Sequence, residues 1–137
     1  MKQENILSYQ IRKAIFEVNK ILGPGLNESI YEEALYYELL NMNLKVERQV
    51  VFPVFYKGIH LQKKFIIDML IDNCVIIETK SVDNINETHK SQLLNYLKIS
   101  GIQLGILVNF NTNFITDKKD IFRIINSNAS SYKKRIS

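Results

Sequence analysis

From Ile66 to Lys80 the chain reads IIDMLIDNCVIIETK, two apolar runs set on either side of Asp72-Asn73. Both runs are too short for helices and rich in β-branched residues, so they predict two strands joined by a tight turn. The second, Cys74 to Thr79, is almost unbroken in its apolar character, which suits a central strand covered on both faces. Yet Asp68 lies inside the first run, and Glu78 and Lys80 close the second. Charged side chains are seldom buried unless they are paired or hold a metal.

Positions two apart on a strand face the same way, so Glu78 and Lys80 share a face. Whether Asp68 joins them depends on the turn. A two-residue loop at Asp72-Asn73 pairs Asp68 with Ile77 and turns its side chain away. An odd-numbered loop, such as Asp72-Asn73-Cys74, pairs it with Glu78. A three- or five-residue loop, or a bulge, is therefore predicted. Converging carboxylates repel each other, and a hard divalent cation with oxygen ligands resolves the conflict. Magnesium or manganese would take Asp68, Glu78 and the main-chain carbonyl of Thr79. Lys80 would orient an attacking water or stabilise negative charge developing on phosphorus. Spacing alone leaves open a second arrangement, an Asp68–Lys80 ion pair at a sheet end with Glu78 solvated.

The rest of the chain supplies the frame. Apolar residues Ile6, Ile11, Ile15, Val18, Ile21 and Leu22 recur at helical spacing until Gly23-Pro24-Gly25 stops the helix. Asn27 is a candidate cap for a second helix through Ile30, Ala34, Leu35 and Leu39, with Glu28, Glu32 and Glu33 in its first turns, where carboxylates suit the dipole. Leu44 to Tyr56 reads as a strand in which Pro53 hints at an edge or bulge. Lys57-Gly58 is a turn, and His60 to Ile71 the next strand. Thr88 to Ser100 is helical and ends at Gly101; Ile102 to Phe110 and Asp120 to Asn126 are strands. That order describes an α/β domain, a central mixed sheet flanked by helices, with a parallel crossover between the strand at 74–79 and that at 102–110. One domain over 1–127 and a polar basic tail over 128–137 are expected.

The totals set limits. A 46% hydrophobic fraction supports a core, and 23% charged residues argue against disorder and against a membrane protein. A single cysteine, Cys74, excludes an internal disulfide and a four-cysteine cluster, and the polar N-terminus is unlike an export signal, so a cytoplasmic location is expected. The formal charge of +4 suits a phosphate-rich partner without defining one. His60 and His89 stand apart, without metal-ligand spacing. A homodimer or a protein partner is compatible with the chain, which carries no heptads.

Gly25-Leu26-Asn27-Glu28-Ser29-Ile30-Tyr31 resembles the motif that names the GxxExxY proteins. Asp68, Glu78-Thr79-Lys80, Gln92-Leu93-Leu94-Asn95-Tyr96-Leu97 and Gly101 to Phe110 follow in that family's order. The likeness runs from about Ile11 to Asn126. These proteins are assigned to the PD-(D/E)XK nuclease-like superfamily, and the Gln-x-x-x-Tyr element is similar to one in RecB-type exonucleases. The resemblance implies a restriction-endonuclease-like core with a metal site at one sheet end. It implies Asp68 and Glu78 as metal carboxylates, Lys80 as the catalytic lysine, and Glu28 as a further acid facing the site. Gln92 and Tyr96, spaced to share one helix face, would contact Lys80, the strand or nucleic acid. The arginine often found before the first aspartate is missing, and Lys63 or Lys64 would take its place against the backbone.

The resulting expectation is a metal-dependent nuclease acting on nucleic acid, DNA before RNA. The rival is a nucleic-acid- or protein-binding regulatory module that keeps the fold without the chemistry.

Overall fold

The computed structural model describes residues 3–127; the expected basic tail lies outside them. Its elements run α1 (Gln3–Leu22), α2 (Glu28–Leu40), β1 (Val46–Tyr56), β2 (Ile59–Ile71), β3 (Val75–Lys80), α3 (Glu87–Ser100), β4 (Leu104–Asn109) and β5 (Ile121–Ile125). The order is the one read from the sequence. The five strands form one sheet in chain order, and only β3 and β4 are parallel. It is a mixed sheet with helices on both faces. No described helix is long and apolar enough to cross a membrane.

α1 and α2 cover one face. Leu7, Ile11, Ala14, Ile15 and Val18 of α1 join Tyr31, Leu35 and Leu39 of α2 over Val75, Ile77, Leu104, Ile106 and Val108. Two apolar positions expected to point inward do not: Ile6 and Ile21 are exposed. The stripe through Leu7, Ile11 and Val18 fills the seam, and those two fall outside it. α3 covers the other face through Leu93 and Leu97, which pack on Ile76, Leu107, Phe65 and Ile67. Its close seating depends on Gly105, where a Cβ would lie 3.0 Å from three Leu93 side-chain atoms.

Cap positions follow the expected logic with one difference. Asn27 stands at the start of α2, but its side chain makes no capping bond; its carbonyl accepts from the Ile30 N–H instead. Asn86 caps α3 in full: its side chain accepts from the His89 N–H while His89 Nδ1 accepts from the Asn86 N–H.

The turn between β2 and β3 has three residues. Ile71 pairs with Val75, Leu70 with Ile76 and Met69 with Ile77. Asp72 and Asn73 take the left-handed conformation, the Cys74 N–H closes the turn on the Ile71 carbonyl, and Cys74 is the extra residue. The predicted register is present.

Edge strand β1 carries an irregularity at Pro53, as proline in a ladder requires. A second one was not foreseen. Arg48 pairs with Met69 and Val50 with Ile67, but Gln49 and Asp68 between them are skipped, and Gln49 has φ of 51°. The sheet faces exchange there. Met69 and Ile71 pack under α1 and α2, whereas Phe65 and Ile67, on the same alternation, pack under α3. In β1, Val46 belongs to the first side and Val50 and Phe52 to the second. The far half of the hairpin thus curls over α3, fastened by a stack of Phe65 on Tyr96 with ring centroids 4.6 Å apart.

Candidate active site

Asp68 sits at that exchange point, where β2 parts from β3. The ladder between them stops at Met69–Ile77, and side chains take over its hydrogen bonds. The Asp68 N–H donates to Glu78 Oε2 at 2.7 Å, while Asp68 Oδ2 accepts from the Thr79 N–H at 2.8 Å and from Thr79 Oγ1 at 3.0 Å. The two carboxylates converge, each anchored through one oxygen. Asp68 Oδ1 and Glu78 Oε1 take no hydrogen bond from a described residue. Thr79 points its N–H into the gap between the strands, and a strand residue's carbonyl faces the same side as its N–H.

The acids are close enough to disturb one another. Burial pushes the Glu78 carboxyl up, the charge of Asp68 raises it further, and the result is about 8 despite the Asp68 N–H and Lys80. The Glu28 carboxyl, at the start of α2, is raised by partial desolvation, lowered in part by Lys80, and raised further by the charges of Asp68 and Glu32. Its charge is thus coupled to those of Lys80 and Asp68. No three His, Cys, Asp or Glu among the described residues group tightly enough to enclose a metal, so Glu28 does not complete a three-acid cluster with Asp68 and Glu78. The alternative ion pair of Asp68 with Lys80 does not form; Asp68 is committed to Thr79.

Tyr31 explains the spacing of the Gly25–Glu28–Tyr31 motif. Its ring stacks on Phe110 at 4.9 Å, and its hydroxyl donates to the Gly23 carbonyl at 2.6 Å and accepts from the Leu26 N–H at 3.1 Å. Gly25, at φ of 99°, a conformation open to glycine, donates its N–H to Asn111. Ser81 Oγ donates to the Leu26 carbonyl at 2.7 Å. These bonds lash the loop before α2 to the ends of β3 and β4 and so aim Glu28 at the site.

Several site residues escaped sequence reasoning. Glu32, one turn after Glu28, is buried and accepts from Arg48 Nε at 3.0 Å and from Gln49 Nε2 at 2.9 Å. It clasps Gln49, the β1 member of the skipped pair, and Arg48 beside it. Burial and the charge of Asp68 raise its carboxyl, and Arg48 and Gln49 hold it down. Arg48 also lies over the Tyr36 ring. In sequence Glu32 was one of three acids in a helix's first turns. Asn109 at the end of β4 bonds the main chain of Val82 in both directions and accepts from the Asn111 N–H, securing the loop after Lys80. His89 serves in the cap of α3 with Asn86, and burial and then the charge of Lys80 lower its imidazole from the ordinary value.

Of the expected contact residues, Tyr96 is the one whose hydroxyl feels the charges of both acids. Its hydroxyl is raised by burial, then by the charges of Glu78 and Asp68, and it keeps its proton. Gln92 is exposed, and no hydrogen bond joins it to Lys80. Lys63 and Lys64 are exposed on the curled half of the hairpin.

An α/β sheet whose parting strands present Asp68, Glu78-Thr79-Lys80 defines a protein of the PD-(D/E)XK class. The chain matches the family described as the PD-(D/E)XK nuclease superfamily over residues 5–124, and it belongs to that superfamily. No curated protein matches it. Among solved structures, "Crystal structure of SSO0001" is similar at a TM-score of 0.43 and 19% identity, over 88% of this chain and 77% of that one.

Proposed function

We propose that this protein is a divalent-metal-dependent nuclease that hydrolyses phosphodiester bonds of nucleic acid, with DNA the leading substrate. The observation that carries the reading is the reciprocal anchoring of Asp68 and Glu78. Each carboxylate spends one oxygen on the main chain and keeps one for a ligand. Such hard oxygen donors fit Mg2+ or Mn2+, and the Thr79 carbonyl, turned into the same gap, is a third donor. A cation held there would offset the charge of a phosphate and make water a stronger nucleophile.

Lys80 projects on the same side as Glu78 and would hold the water or a phosphate oxygen by charge and hydrogen bond. Glu28, which does not complete a three-acid cluster with the pair, would act through water or on a second ion. Tyr96, whose hydroxyl feels the charges of both acids, keeps its proton and can donate to a phosphate oxygen. Gln92, one turn before it on α3, and Lys63 and Lys64 on the hairpin would contact the backbone of the nucleic acid. The order of motifs supports placement among the GxxExxY proteins. The lone Cys74 suits a reducing compartment, and we place the protein in the cytoplasm.

The test is cleavage of labelled single- and double-stranded DNA and RNA with Mg2+, with Mn2+ and with EDTA. Metal-dependent cleavage that Lys80→Ala and Glu78→Ala abolish, in proteins that retain the wild-type circular dichroism, is the expected result. Wild-type protein inert on every substrate with either metal would favour the regulatory-module reading.

A further inference from the structure

The hairpin beyond Asp68 has a makeup that the core does not require. From Arg48 to Ile67 there is no acidic residue, and the bases are Arg48, Lys57, Lys63 and Lys64. Arg48 is spent on Glu32; the three lysines are exposed and form no ion pair among the described residues. At the tip, Phe55 and Tyr56 are 56% and 59% exposed. Phe55 stacks on His60 at 4.9 Å, and the Lys57 ammonium lies 5.5 Å from the Tyr56 ring. Buried aromatics of the same hairpin, Phe52 and Phe65, already supply its attachment to α3. The exposed rings contribute nothing to that packing.

We infer that the tip of the β1–β2 hairpin is a binding arm for single-stranded nucleic acid, with Phe55 and Tyr56 stacking on unpaired bases and Lys57, Lys63 and Lys64 holding phosphates. The inference rests on the nuclease reading and names its substrate class. Rings on a protruding tip can stack only on bases whose faces are open, which a duplex hides and a single strand offers. Lysines without intervening acids supply the charge that every phosphate backbone needs. Position agrees with composition. Asp68 lies eight residue steps along β2 from His60, roughly 26 Å at strand rise, so a strand laid along the arm leads from the tip to the candidate site.

The test is fluorescence anisotropy in EDTA, where binding is read without hydrolysis, using labelled oligothymidylate, the same strand annealed as a duplex, oligouridylate and anionic phospholipid vesicles. Wild type should bind the single strands more tightly than the duplex. Phe55→Ala with Tyr56→Ala should lose at least about tenfold in affinity with no change in salt dependence. Lys57→Gln with Lys63→Gln and Lys64→Gln should lower the slope of log affinity against log salt by about 2. All substituted side chains are exposed, and circular dichroism checks that the variants fold. Unchanged affinity in the aromatic variant, a preference for duplex, or binding to vesicles in place of single strands would overturn the arm. Metal-dependent cleavage with no effect of the arm variants on binding removes the arm and leaves the nuclease. Arm-dependent binding with no cleavage in Mg2+ or Mn2+ does the reverse.

Discussion

Glu78 accepts the Asp68 N–H at 2.7 Å, while Asp68 accepts the N–H of the residue after Glu78 at 2.8 Å. Each acid is thus held in place by the other's strand, and neither can swing away from its like-charged neighbour. The strain falls on ionisation, and it gives the site a pH signature.

With Glu78 raised to about 8 from an ordinary 4.5, the folded protein holds a proton that the unfolded chain has released between those values. Its contribution to stability is full below pH 4.5, falls as pH rises toward 8, and levels off above. Chemical denaturation in EDTA should show that decline, and Glu78→Gln should remove it. At pH 8 the variant should be the more stable by a few kcal/mol, at about 1.4 kcal/mol per tenfold in proton affinity. Added Mg2+ or Mn2+ should raise the melting temperature more at pH 8 than at pH 5, because the cation needs both acids ionised.

Glu32 is expected to matter for stability far more than its neighbour. Removing it leaves Arg48 and Gln49 without their acceptor, and Arg48 is one-third exposed, so water recovers part of the loss. Glu32→Ala should cost about 2 kcal/mol in urea denaturation. Glu33→Ala, exposed on the same helix, should stay within about 0.5 kcal/mol of wild type.

Gln49 is a left-handed residue within a strand. Gln49→Val places a β-branched side chain where φ is positive and should destabilise by about 2 kcal/mol or more. Gln49→Gly relieves the backbone but loses the bond to Glu32, so the two effects nearly cancel, within about 1 kcal/mol. Equal melting temperatures for the two variants would show that the conformation at 49 carries no strain.

Gly105→Ala drives a methyl against Leu93 at 3.0 Å. Leu93, and α3 with it where the side chain cannot yield, must give by a few tenths of an ångström, at a cost of about 1–3 kcal/mol. Because α3 carries Tyr96, the Phe65–Tyr96 stack loosens too, and near-ultraviolet circular dichroism should report it.

The sheet and the first acids were legible because strand period and turn parity are local rules. Counting residues from Asp68 to Glu78 was enough to demand an odd-numbered turn, of three or five residues, or a bulge, if the two acids are to meet; the structure has the three-residue turn. Tyr31 and Glu28 were legible only as a motif; that the tyrosine hydroxyl ties down the loop aiming Glu28 needed the coordinates. Glu32, Arg48 and Gln49 were hidden for a clear reason. A carboxylate near a helix start already has a sufficient local explanation, and no propensity places glutamine in a left-handed kink. Ile6 and Ile21 misled because their spacing fits a helix stripe broader than the one two packed helices bury. His89 looked solitary because its partner, Asn86, is met only through the helix cap.

The three-residue turn after Ile71 bears on how relatives of this chain can diverge. Most surface turns tolerate gain or loss of a residue, since the cost of closing a loop grows slowly with length. Here a single insertion or deletion would leave a hairpin able to form but would set Asp68 opposite the wrong neighbour, on the wrong side of the sheet. Descendants that keep the chemistry should therefore vary this turn by even numbers of residues. An odd change should mark a lineage that has kept the scaffold and abandoned the reaction.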